Sequence, residues 1–104
     1  MLRIYTVSIE LIRICAPLVS KIRTHDANLA DHLDRAVTNV ALNIAEGDGQ
    51  RGGNRRLRYT SALGEAREVS CCVDIAEARG FVARPDTLGP KLDHVIGTLV
   101  KLTR

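Results

Sequence analysis

Aliphatic residues recur at steps of three and four in four separate blocks of this chain, and that period commits most of its 104 residues to helix. From Leu2 to about Arg23, the residues Ile4, Val7, Leu11, Ile14, Leu18 and Ile22 fall on one stripe of a first helix. Thr24-His25-Asp26 offers capping side chains, and Leu29, Leu33, Ala36, Val37, Val40 and Ile44 then define a second helix that reaches Gly47. Residues 47–53 hold four glycines in seven positions and read as a loop, with Gly47 ending the helix. Asn54 is expected to cap a third helix whose inward residues are Leu57, Ala62, Leu63, Ala66, Val69, Val73 and Ala76, and Gly80 ends it. After a connector at 81–86, Leu88, Leu92, Val95, Ile96, Leu99 and Leu102 predict a fourth helix, for which Pro85 and Pro90 both suit the entrance. There is no strand-like alternation and no internal repeat. Short loops between four helices predict an all-α fold, an antiparallel up-down-up-down four-helix bundle forming a single domain over residues 1–104.

The first helix carries more apolar surface than one core-facing stripe needs. Ile9, Ile12, Ala16 and Val19 form a second stripe, so burial on two sides is expected, with Ile9, Ile12 and Val19 as an oligomer interface. Pro17 lacks a backbone donor and crowds the carbonyl four residues earlier, which predicts a kink or break between Arg13 and Pro17.

Composition narrows the function classes. No apolar run approaches the roughly 18 to 20 residues that span a bilayer, and Glu10 and Arg13 interrupt what would be the core of a signal peptide. A soluble, cytoplasmic protein is expected. Cys15, Cys71 and Cys72 form no even framework, and the adjacent pair has poor geometry for a mutual disulfide, so reduced thiols are expected. The histidines His25, His32 and His94 lack the three- or four-residue helical spacing of a metal pair. No Glu is followed by His at the spacing of a carboxylate-bridged metal bundle. Neither of the adjacent cysteines has a His near in sequence, and Gly47-Asp48-Gly49 lacks the Lys and Ser/Thr of a phosphate loop. The expectation is a protein without catalytic residues, metal or cofactor.

Two groups of polar residues remain. On the second helix Arg35, Asn39, Asn43 and Glu46 lie within about 80° of arc and form a polar seam that fixes register and, with Gly47, anchors the loop. Arg51, Arg55, Arg56 and Arg58 outweigh Asp48 around a glycine loop and a helix start. Loop amides, a helix dipole and arginine forks all favour an anion, so these arginines are the expected phosphate contacts. A whole-chain charge of only +3 and a 3% aromatic content argue for backbone contacts with weak sequence preference if RNA binds. The alternative is a structural adaptor whose surface docks a protein partner.

Asn43-Ile44-Ala45-Glu46-Gly47-Asp48-Gly49, preceded by Arg35-Ala36 and followed by Ala62-x-Gly64, Glu68, Ile75-Ala76 and Gly80-Phe81-Val82, resembles the small four-helix-bundle family named after the 23S ribosomal RNA intervening sequences. The resemblance runs from about Leu33 to the C-terminus. It implies an antiparallel four-helix bundle assembled as a ring-shaped homopentamer, and a family that mostly lacks a defined biochemical activity. Related bundles, the accessory variability proteins of diversity-generating retroelements, form positively charged pentameric barrels that bind nucleic acid and a reverse transcriptase. The chain departs from the family pattern after the signature, where Gln50-Arg51-Gly52-Gly53-Asn54 replaces an Arg-Ser run and Tyr59 is the only aromatic at the start of the third helix.

Overall fold

The computed structural model describes residues 3–104. It consists of four helices, α1 (Arg3–Arg23), α2 (Ala27–Asp48), α3 (Gly52–Ala78) and α4 (Leu88–Leu102). Leu2, where the first helix was expected to start, lies outside the described residues. Each helix packs on its chain neighbours, and α4 closes on α1, so α1 and α3 occupy opposite corners of a four-cornered bundle. The bundle measures 42 × 24 × 20 Å, and its long axis matches the rise of α3, about 40 Å at 1.5 Å per residue.

The core is aliphatic, as the composition requires. Leu11, Ile22, Leu33, Ile44, Leu88 and Leu99 are fully enclosed, and alanines at 30, 36, 62, 66 and 76 let the helices approach closely. The buried stripe of α1 is Ile4, Val7, Ser8, Leu11, Cys15, Leu18 and Ile22, with Ile14 at its edge. Ser8 is its one polar member, and its hydroxyl donates to the Tyr5 carbonyl at 2.6 Å, which removes the cost of burying it.

Several local expectations need correction. Helix α1 passes through Pro17 as one continuous element; Pro17 is exposed, so the bundle asks for no break there. Gly47 does not end α2. It is buried inside the helix, and a Cβ there would come within 2.5 Å of the Tyr59 ring, so the glycine serves a close approach between α2 and α3. The expected seven-residue loop shrinks to three non-helical residues, 49–51. Arg51 rather than Asn54 is the cap position of α3, and Gly52 enters the helix at φ +57. Leu57, expected inward, points to solvent; Tyr59 fills the core position instead.

The other end of the bundle follows the sequence closely. The Asp26 carboxylate accepts the Leu29 amide at 3.0 Å and caps α2. At the end of α3, Phe81 N–H donates to Ala76 O at 2.8 Å and Gly80 N–H to Glu77 O at 2.9 Å, a Schellman pair made possible by Gly80 at φ +77. The connector 79–87 is then pinned along the bundle. Phe81 stacks on His25 at 4.6 Å, Val82 is buried, and the Arg84 guanidinium bridges Asp74 at 2.5 Å and Glu77 at 3.2 Å. Helix α4 begins at Leu88, with Pro90 in its first turn, where amides have no helical partner. Lys91 pairs with Glu10 and ties α4 to α1.

Candidate nucleic-acid interface and polar seam

The seam residues of α2 lie along the outer edge of its contact with α3. Asn43 Nδ2 donates to the Asn39 carbonyl at 2.9 Å, a bond within the helix. Glu46 does not reach the loop amides: its carboxylate pairs with Arg58 Nε at 3.1 Å, across to α3. Arg35 and Asn39 join His32, Glu65 and Glu68 around a shallow cleft. His32 and Glu68 face each other at 3.9 Å. Burial raises the Glu65 carboxyl above the usual carboxylate range and Glu68 adds to the rise, while the Asn39 amide and the Arg35 charge work the other way.

The turn at 49–51 is held by an arginine. Arg55 Nε donates to Gln50 O at 2.9 Å and to Gly47 O at 3.2 Å, and its Nη2 reaches Asp48 O at 3.4 Å. Gly47 and Asp48 offer the last carbonyls of α2 and Gln50 one of the turn, so the cation sits on the negative pole of that helix dipole. Two of the four expected phosphate contacts are thus engaged within the chain, Arg55 by the turn and Arg58 by Glu46. Arg51 and Arg56 are exposed and form no ion pair among the described residues.

The amides of the first turn of α3 open to solvent. No side chain caps them, because the cap position is Arg51, which has no acceptor to offer, and no acidic residue lies in the first turn. The positive helix pole and two exposed guanidinium groups therefore lie at the same end of the same element.

The expected interface residues of α1 are distributed unevenly. Ile12 and Val19 are half-buried against the core, Ile9 is half-buried, and Ala16 is exposed. Periodicity missed the outward-facing Leu42 and Ile75, and Leu57 and Leu102, expected on inward stripes, are both exposed.

The remaining chemistry is quiet. Cys15 and Cys72 are buried, and loss of water pushes both thiols up to about 11. Among the described residues, no group of three or more His, Cys, Asp or Glu side chains converges to hold a metal ion. No described helix is long and apolar enough to cross a membrane. No curated protein and no solved structure matches the chain. The family model of the 23S rRNA-intervening sequence protein matches residues 1–101.

Proposed function

The chain belongs to the 23S rRNA-intervening sequence protein family, and from that membership we propose a non-enzymatic, self-assembling helical-bundle accessory protein that binds RNA through phosphate contacts at the start of α3. The observation that carries this reading is the uncapped α3 N-terminus with Arg51 and Arg56 exposed beside it. Open amides and a helix pole attract an anion, and each guanidinium offers paired donors to phosphate oxygens. Arg55 and Arg58 contribute mainly by shaping the turn and by their field. Stacking on bases has little support, since Tyr59 is buried and Phe81 lies against His25. Binding therefore follows shape and charge more than sequence.

A protein-docking adaptor is the second reading. Its support is Leu57, 61% exposed, in a hollow shared with Gln50, Asn54 and Arg58, an apolar side chain that RNA phosphates would not use.

Titration into a labelled structured RNA at about 50 and 200 mM salt separates the two. The RNA reading expects affinity that falls with salt and falls again in Arg51→Ala/Arg56→Ala, while that variant keeps the wild-type melting temperature. Absence of binding at the lower salt would transfer the site to a protein partner.

A further inference from the structure

Beside the arginine turn lies a hollow that phosphate contacts leave unused. Gln50, Asn54, Leu57 and Arg58 line it, and it encloses about 210 Å³. That is below the roughly 300 Å³ at which sites for drug-sized ligands begin, so it suits one planar group rather than a whole ligand or a partner helix. Leu57, at 61%, is the most exposed large apolar side chain among the described residues. A phosphate gains nothing from it, whereas the flat face of a nucleobase does.

The polar lining narrows the base. Gln50 and Asn54 are exposed, and neither side-chain amide is hydrogen-bonded to another described residue. Each offers a donor and an acceptor side by side, the pattern that an adenine edge matches with its N7 acceptor and N6 donor. Guanine prefers an arginine fork, but Arg58 is already held by Glu46 at 3.1 Å. The free pair of groups is therefore the one that fits adenine. Charge agrees with a nucleotide: Arg51 stands in sequence between Gln50 and Asn54, and no acid lies in the first turn of α3. By contrast, the cleft between α2 and α3 is lined by Glu65 and Glu68, whose carboxylates repel a nucleic-acid strand.

We propose that this hollow takes one unpaired adenine of an RNA whose adjoining phosphates meet Arg51 and the open amides of α3. The inference rests on the phosphate reading and adds one base preference to contacts that are otherwise blind to sequence. Leu57 packs on the base face, and the Gln50 and Asn54 amides read its edge.

Three labelled hairpin RNAs with one common stem test it: the first has a single bulged adenosine, the second a bulged uridine, the third no bulge. They are titrated at about 50 mM salt against wild type, Gln50→Ala/Asn54→Ala and Leu57→Ala. All three replaced residues are exposed, so circular dichroism melts stay at or above the wild-type temperature. Wild type prefers the bulged adenosine by about fivefold or more, the lower end of what a bidentate base contact discriminates. The amide variant binds the three RNAs equally, at the wild-type affinity for the unbulged stem, and Leu57→Ala loses affinity for the bulged RNAs only. Equal, salt-sensitive binding of all three RNAs by wild type overturns the adenine site and leaves the phosphate reading standing. A preference that survives the amide variant overturns it too, and unchanged RNA affinity in Leu57→Ala returns the hollow to a protein partner. Absence of binding to every hairpin overturns both readings together.

Discussion

The two tight turns of this bundle have the same length and opposite chemistry. The α1–α2 turn at 24–26 closes itself: Asp26 caps the next helix with a carboxylate, and Phe81 from the connector stacks on His25. The α2–α3 turn at 49–51 satisfies only the helix that ends there. Arg55 covers the Gly47 and Asp48 carbonyls of α2, and the amides that open α3 receive no side chain. Equal connection length thus gives one turn that is chemically complete and one that retains donors and positive charge. The difference lies in the residue at the cap position, an acceptor in one case and a cation in the other.

The sharpest way to break the α2–α3 end is Gly47→Val. The added side chain drives into the buried Tyr59 ring, and overpacking of this kind costs about 2–3 kcal/mol. Urea denaturation should show that loss in the midpoint with little change in slope. At the closed turn, Asp26→Ala removes one cap and should cost about 1 kcal/mol, a fall of roughly 4–8 °C in melting temperature for a domain of this size. The comparison sharpens if the open turn is given the missing acceptor. Arg51→Ser should raise stability by some tenths of a kcal/mol up to about 1 kcal/mol while weakening RNA binding, so calorimetry and RNA titration move in opposite directions. Loss of stability in that variant would show that Arg51 already serves the fold.

Glu46→Ala should matter less than any of these. Its ion pair with Arg58 is solvent-exposed on both sides, and such pairs contribute about 0–1 kcal/mol. A larger drop in melting temperature would restore the loop-anchoring role expected from sequence.

The smallest effect concerns pH and has opposite signs at two carboxylates. Glu10 is held below its ordinary 4.5 by the Lys91 hydrogen bond, so its contribution is present above that value and lost as pH falls through the lower folded value. Glu65 is raised, chiefly by burial, so its charged form works against the fold above the raised value, and protonation on acidification relieves this. Glu65→Gln should therefore raise the melting temperature slightly at pH 7 and remove the gain that wild type shows on approaching pH 4.5 from above.

The bundle was legible because its signals are local. Aliphatic steps of three and four located all four helices, Asp26 marked one turn, and Gly80 marked the end of α3 through the left-handed backbone that its position requires. What sequence could not supply were facts about contact. Gly47 reads as a terminator by composition, yet it is a buried spacer, and only the neighbouring Tyr59 ring reveals this. Leu57 lies about half a turn from the core-facing Ala66, so its hydrophobicity rather than its spacing had placed it inward. Pro17 breaks helices by its own chemistry, but an exposed position in a well-packed α1 tolerates it. For the arginines, composition placed the charge correctly, while the division between engaged Arg55 and Arg58 and exposed Arg51 and Arg56 depends on carbonyl and carboxylate positions that spacing does not encode.

The closing of α4 on α1 has a practical consequence for anyone handling this molecule. Arg3, Ile4 and Leu102 border one hollow, so the first and last described turns emerge side by side, at the end that also bears the α2–α3 turn. Any tag, dye or fused domain attached at either terminus will hang over the arginine turn and shade it from a bulky partner. A reporter placed on the connector, near the exposed Ala83, occupies the far pole and leaves that turn unobstructed.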